Sequence, residues 1–300
     1  MNRRDAVKAA GLGAAAALGA AAQAQAADAG GKPGKFKMKY APHFNMFRHS
    51  AGRDPIDQLK FAADQGFHAW EDNGMGRKKP ELQSKIGAEM QRLGMTMGVF
   101  VTGLGSLVSE PRKMKDQIVN KAKASIEVAR RVHATWTTVV PGGVNQRLEW
   151  AYMTANVIEN LKVAAGVLEP AGLVMVLEPL NWWANHPGLF LRKVPQAYQI
   201  CKAVGSPSCK ILDDLYHAQI QEGNLIPNMD KAWSEIAYIQ VGDNPGRKEP
   251  TTGEINYRNI FKWLHGRGYK GVIGMEHGNS KPGPEGEQAL IAAYRECDDF

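Results

Sequence analysis

Four oxygen-bearing side chains, Glu178, Asp214, Gln240 and Glu276, close four short apolar runs in the stretches LVMVLEPLNWW, ILDDLYHAQ, AYIQVGDNPGR and VIGMEHG. A carboxylate at the end of an apolar run loses hydration, and three of them on neighbouring runs also repel one another. A divalent cation answers both difficulties. With no thiolate in the set, the donors suit one hard ion, Mg2+ or Mn2+ ahead of Zn2+. Singly, each residue reads as a helix cap, a salt bridge or a solvated charge; four run ends in succession favour a shared ion. Asp213 stands beside Asp214, and Asp214 is chosen because it sets the Asp-Leu-Tyr-His spacing.

The elements that must position these groups follow a regular rhythm. Eight apolar runs of strand length recur from about residue 37: KMKYAPHF, GFHAWED, MTMGVFV, TWTTVVP, LVMVLEP, CKILDD, IAYIQVG and GVIGMEH. Between them lie segments of helical period, among them DPIDQLKFAADQ, KPELQSKIGAEMQRL, residues 111–132 and residues 148–170. Gly66, Gly94, Gly172, Gly205 and Gly268 each stand just before the next apolar run, where a helix stop needs a left-handed residue. Strands alternating with helices imply parallel pairing, and eight such units predict an α/β fold, the (β/α)8 TIM barrel. An open doubly wound sheet would carry a glycine-rich phosphate turn after its first strand, and YAPHFNMF has no glycine. In a barrel of this kind the chemistry sits at the C-terminal ends of the strands, which is where Glu178, Asp214, Gln240 and Glu276 fall.

The first residues read differently. Residues 1–26, MNRRDAVKAAGLGAAAALGAAAQAQA, run from charge through Gly and Ala to an A-x-A cleavage pattern at Ala24, Gln25 and Ala26. Arg3 and Arg4 resemble a twin-arginine signal, so the mature protein is expected in the periplasm without a membrane anchor. Residues 27–36 are read as a linker and 37–300 as a single barrel domain. The formal net charge of +7 is modest and lies partly in KPGKFKMK and in Arg77, Lys78 and Lys79. No basic stripe interleaved with aromatics is present, so nucleic acid is not an expected partner. Cys201, Cys209 and Cys297 have no metal-ligand spacing. An oxidising compartment permits a Cys201–Cys209 bridge, but buried thiols are the expectation.

LEPLN, DLYHAQ, IQVGDNPGR followed by EPTTGEINY, and MEHG, in that order, resemble the xylose-isomerase-like barrels, and among them the branch that acts on hydroxypyruvate. The resemblance implies that Glu178, Asp214, Gln240 and Glu276 bind the metal, and that Glu178 and Glu276 also move protons. The activity implied is a metal-dependent aldose–ketose isomerase or epimerase acting on hydroxypyruvate or a related small sugar through an enediolate. A small carbohydrate or hydroxy-keto acid is then the partner, and a homo-oligomer is expected by resemblance alone. His217 points into the same mouth as Asp214 and is suited to a substrate oxygen, Arg247 to a substrate carboxylate, and Glu71 to orienting a ligand or substrate group. His43 and His68 are read as packing or rim residues, and Trp182 and Trp183 as pocket walls or neighbour contacts. An export signal shifts the expected substrate towards a periplasmic sugar. Two other functions share this pattern. An AP-endonuclease-like metal hydrolase would collect histidines around several zinc ions, with a histidine where Gln240 stands; a non-catalytic periplasmic sugar-binding protein would keep the metal residues alone.

Overall fold

Each of the eight expected runs contains a strand in the computed structural model, which describes residues 33–300. The signal segment and most of the linker lie outside the described residues. The strands are β1 (Lys39–Ala41), β2 (Ala69–Trp70), β3 (Thr96–Met97), β4 (Trp136–Val139), β5 (Val174–Leu177), β6 (Cys209–Asp214), β7 (Ile236–Val241) and β8 (Val272–Met275). All pair in parallel, in the order β1-β8-β7-β6-β5-β4, with β2 and β3 as a separate pair. Parallel bridges His43↔Glu71 and Val101↔Thr138 join that pair to its neighbours on either side. The backbone bonds Glu71 N–H to Pro42 O at 2.9 Å and Thr102 N–H to Thr138 O at 2.9 Å carry the ring round. The result is a closed (β/α)8 barrel, and Gly34–Phe300 forms one compact unit.

Local chemistry explains the boundaries. The helices Pro55–Asp64, Pro80–Leu93 and Pro111–Val132 all start on a proline, whose missing N–H goes unused in a first turn. The Asp54 side chain caps the first of them by accepting from Ile56 N–H at 2.7 Å. Gly94 and Gly205 close their helices with φ of 66° and 70°, a conformation that would strain a residue with a Cβ. The helix Pro111–Val132 stops instead at His133, φ 54°, a stop the glycine pattern did not disclose.

Apolar side chains fill two zones. The larger lies between strands and helices. A smaller one, Ala41, Ala69, Val99, Val176, Leu212, Tyr238 and Val272, fills the barrel interior. Phe36 and Met38, within the charged stretch KPGKFKMK, are buried in the larger zone. Phe36 packs at a tilt against Phe67, ring centres 4.6 Å apart, and lies under the Arg295 guanidinium, so packed structure begins ahead of β1. The three cysteines are free and buried. Among the described residues, no helix is long and apolar enough to cross a membrane.

Candidate active site

Above the interior apolar layer, the rim turns polar. Glu178 follows β5 directly and is buried. Asp214 ends β6 and also caps the helix Leu215–Gln221, its Oδ1 accepting from Tyr216 N–H at 2.8 Å. That cap fixes the carboxylate, leaving Oδ2 towards Arg247 Nη2 at 3.2 Å and His217 Nε2 at 3.6 Å. Strand alternation sends Asp213 to the other face, where its Oδ1 is buried without a partner. The spacing choice made from sequence therefore selects the residue that meets Arg247 and His217.

Glu276 follows β8. Its Oε1 accepts from Asn73 Nδ2 at 2.9 Å and its Oε2 from Arg247 Nη2 at 2.8 Å. Arg247 thus spans Asp214 and Glu276, donates through Nε to the Glu276 carbonyl at 3.1 Å, and lies 4.9 Å from the centre of the Tyr216 ring. It reaches this place from a turn in which Gly246 and Arg247 both have positive φ, 104° and 51°. Gln240, on β7, donates from Nε2 to Glu71 Oε1 at 2.8 Å, and its Oε1 is buried with no partner. Glu71 is buried as well and also accepts from Tyr238 Oη at 2.8 Å.

Crowding of acids shows in their proton affinities. Burial, and then the charge of Asp214, pushes the Glu178 carboxyl up to about 8. Burial and the charges of Glu178 and Asp214 raise Glu276 well above the usual carboxylate range. Burial brings Glu71 up to about 7 against the pull of its two donors, and burial followed by Asp214 does the same to Asp213. For Arg247 burial opposes the charge, but Asp214, Glu276 and Glu178 outweigh it and the guanidinium is held more firmly cationic. Burial lowers His217 to about 4, against the opposing pull of Asp214, so its ring is neutral near pH 7.

The tautomer of that ring follows from its neighbours. Asn181 Oδ1 accepts from Ala184 and Asn185 N–H, which leaves its Nδ2 to donate to His217 Nδ1 at 2.6 Å. Nδ1 is therefore the acceptor and Nε2 carries the proton. Glu178, Asp214 and His217 offer buried donor atoms within 4.8 Å of one another. With Nε2 protonated, His217 offers a hydrogen-bond donor, and the carboxylate oxygens of Glu178 and Asp214 are the atoms of the group that could hold a cation. Two orphaned buried groups, Gln240 Oε1 and His217 Nε2, face the same chemistry: one wants a cation or donor, the other an acceptor.

Several residues important here escaped the sequence reading. Asn73, two positions after Glu71, was legible as a polar group beyond a strand end. Tyr238 reads as a core aromatic, and nothing in sequence shows its hydroxyl reaching Glu71. His43 contacts the His277 carbonyl through Nε2 at 3.1 Å at the rim, while His68 packs near Gly66 at the other end of β2. Trp182 is tied into its own chain, donating to the Leu189 carbonyl and lying under Arg192, while Trp183 is exposed. A cavity of about 420 Å3 opens beside Glu276, lined by His43, Phe44, Asn73, Arg77 and Lys78 among others.

A parallel eight-stranded barrel whose C-terminal rim gathers buried carboxylates defines a class of α/β-barrel proteins with an acidic mouth. Residues 59–297 match the family described as Xylose isomerase-like TIM barrel, and the chain belongs to that family. Hydroxypyruvate isomerase of Escherichia coli strain K12 is 38% identical over 123 residues, 41% of this chain and 47% of that one. The human and mouse relatives likewise match over 50% of their length, so these alignments span about half of each relative. The 2-oxo-tetronate isomerase of Cupriavidus necator is 29% identical over 229 residues, 74% of this chain and 86% of that one. Among solved structures, AP endonuclease family 2 from Brucella melitensis superposes with a TM-score of 0.74 at 24% identity, covering 86% of this chain and 99% of that one. That likeness speaks for the fold.

Proposed function

We propose that this chain is a divalent-cation-dependent isomerase or epimerase that removes a proton next to the carbonyl of a small hydroxy-carbonyl substrate and returns it to the adjoining carbon or to the opposite face of the same one. Its preferred class is then short 2-oxo acids of the hydroxypyruvate type or a related small sugar. One observation carries the reading: Glu178, buried, and Glu276, half-buried, come from strands three apart to share one mouth with Asp214 and Arg247, and the charge of Glu178 helps raise the proton affinity of Glu276. The relatives named as hydroxypyruvate and 2-oxo-tetronate isomerases support it.

The oxygens fit a hard cation: three carboxylates and the unpartnered Gln240 Oε1 present no sulfur, and Mg2+ or Mn2+ suits such a set. Held by Glu178, Asp214, Gln240 and Glu276, that ion would polarise the substrate carbonyl and lower the energy of the enediolate. One glutamate takes the proton next to the carbonyl; returning it to the adjoining carbon completes an isomerisation, and a proton supplied to the same carbon by the other glutamate from the opposite face completes an epimerisation. His217 Nε2–H donates to a substrate oxygen. Arg247 offers a planar fork to a substrate carboxylate. Loops above the β1–β3 half enclose the rest of the substrate in the 420 Å3 cavity. We further propose that the leader in residues 1–26 exports the protein to the periplasm; replacing Arg3 and Arg4 together by Lys should retain it in the cytoplasm, as fractionation would show.

The test is proton exchange. Protein loaded with Mn2+ or Mg2+ is incubated in D2O with hydroxypyruvate, 2-oxo-tetronate and free ketoses, and deuterium at carbon is followed by NMR. Incorporation into at least one substrate, lost in Glu178→Gln and Glu276→Gln, is expected. No exchange with any of them, or unimpaired exchange in both variants, would sink the isomerase reading.

A further inference from the structure

Glu71 comes from the opposite side of the barrel to reach Gln240, and its two oxygens are both engaged there: Oε2 by Tyr238 Oη and Oε1 by Gln240 Nε2, each at 2.8 Å. An ionised carboxylate only accepts hydrogen bonds. The Gln240 atom facing it must therefore be the NH2, and the amide carbonyl is turned the other way. That carbonyl oxygen is the one left buried and unpartnered.

Two glycines make room for this chain of contacts. Gly274 stands opposite Gln240 in the β7–β8 register, and a Cβ there would fall 2.0 Å from Glu71 Oε2 and 2.9 Å from Gln240 Cγ. On the other side, a Cβ on Gly98 would fall 2.2 Å from Tyr238 Oη. Neither glycine has the positive φ that would explain it as a turn. Their missing side chains are explained by the space that the Tyr238–Glu71–Gln240 relay occupies. The relay crosses the interior from β2 to β7, where the neighbouring positions are filled by apolar side chains.

We infer that Glu71, held by Tyr238 and accommodated by Gly98 and Gly274, is a positioning residue that locks the Gln240 amide so that Oε1 is presented to the cation. Unlocked, the amide turns over in half its orientations and offers NH2, a donor that repels a cation. Fixing a ligand through its second hydrogen bond is a general device of metal sites, and losing it costs roughly 10–100-fold in affinity. The inference rests on the cation reading of the site and adds to it a role that Glu71 plays through Gln240.

The experiment measures Mn2+ binding to the full-length mature protein by electron paramagnetic resonance and calorimetry in weakly alkaline buffer, with a thermal melt of each variant. Glu71→Gln keeps the shape but puts an NH2 in place of one acceptor oxygen, so the Gln240 amide can reverse against it, and should weaken Mn2+ roughly 10–100-fold. Tyr238→Phe, which frees Glu71 from its anchor, should weaken it less. The deciding comparison is a cycle: in a Gln240→Ala background, Glu71→Gln should have little further effect, because its route to the cation is gone. Equal weakening in both backgrounds, or unchanged affinity in Glu71→Gln and Tyr238→Phe alike, overturns the inference while leaving the cation site standing. If the parent protein binds no Mn2+, the cation reading fails and this one with it. Should Glu71→Gln not fold, Tyr238→Phe in the two backgrounds supplies the same cycle.

Discussion

Strands β5 to β8 run four, six, six and four residues in one continuous ladder and carry Glu178, Asp214, Gln240 and Glu276 at or just past their ends. Strands β1 to β3 run three, two and two, are joined to the ring partly by single bridges, and open into loops bearing His43, Glu71, Asn73 and Lys78. The difference follows from what each half must hold. Like charges packed together are expensive to misplace, so they sit on backbone fixed from both sides by ladder hydrogen bonds. Groups that only complement a substrate tolerate looser anchorage, and loops are where such groups vary most readily. Glu71 is the exception that links the halves, since it starts on the loose side and ends in the rigid one.

The comparison predicts unequal penalties. On the proposed mechanism, Glu178→Gln and Glu276→Gln in the rigid half should each lower the rate of proton exchange by roughly 10^3-fold or more, since each replaces a carboxylate that would carry the proton and offer its charge to the cation. Asn73→Ala in the loose half removes one hydrogen bond to Glu276 Oε1 and should cost about 10-fold. Single-turnover exchange in D2O measures both. If Asn73→Ala proves as damaging as the glutamate variants, the division of labour is wrong and Asn73 belongs to the reacting centre.

Arg247 sharpens the same point from the β7 side, because it faces Asp214 and Glu276 and yet sits where a substrate carboxylate would arrive. Arg247→Lys keeps the charge but loses the two-pronged geometry. For a 2-oxo acid the expected result is a KM raised roughly 10–100-fold with a smaller change in kcat. A free ketose, lacking the carboxylate, should be affected far less. Equal losses on both substrates would make Arg247 a support for the acids alone.

How far this division was legible in sequence depends on the range of the signal. Strand ends are local: the apolar run before Glu178 or Asp214 and the glycine stops such as Gly94 and Gly205 announce the barrel and its rim without any three-dimensional knowledge. The relay is not local. Glu71 and Gln240 are separated by 169 residues, and no pattern near either tells that the ring closure will bring them together. Tyr238 reads as one more inward aromatic, and Gly98 and Gly274 read as weak points in strands. Their meaning lies in what a Cβ would strike, which only the folded arrangement reveals. His133 shows the same limit at smaller scale, closing a helix with a left-handed residue that composition does not mark.

The rigid half also predicts a pH signature for the cation-free protein. Burial first, and neighbouring acids second, hold the Glu178 carboxyl at about 8 and Asp213 at about 7, and Glu71 at about 7 chiefly through burial. In each case the folded pKa lies above the unfolded one, so the folded state keeps a proton that the unfolded chain has released. The contribution of these carboxylates is full below the ordinary carboxylate range and falls as pH rises towards about 8, most visibly above the pH at which the buried His217 has already lost its proton in the unfolded chain as well. The slope is at most ~1.4 kcal/mol per pH unit for each such group. Urea unfolding at a series of pH values should show the decline, and saturating Mn2+ should flatten it by compensating the Glu178 charge. A stability that climbs between pH 5 and 8 without cation would show that these carboxylates ionise freely and that the acids are less crowded than the packing indicates.

The smallest expected effect lies at the outer edge of the loose half. Lys78 pairs with Asp72 at 2.6 Å, lies 5.0 Å from the centre of the Phe44 ring, and lines the cavity beside Glu276. Partly exposed pairs of this kind contribute on the order of 0.2–1 kcal/mol, because solvent and salt screen them and side-chain entropy opposes them. Lys78→Met keeps the apolar stem over Phe44 and removes only the charge. It should raise KM for an anionic substrate a few-fold at low salt, leave kcat unchanged, and lose most of its effect as ionic strength rises. That salt dependence separates a rim charge with one ion-pair partner from Arg247, which is about as exposed but is braced by Asp214, Glu276 and the Tyr216 ring, and whose contribution should persist at high salt. A Lys78→Met variant whose defect survives high salt, or falls on kcat, would move the functional boundary outward and place the β2 loop within the working site.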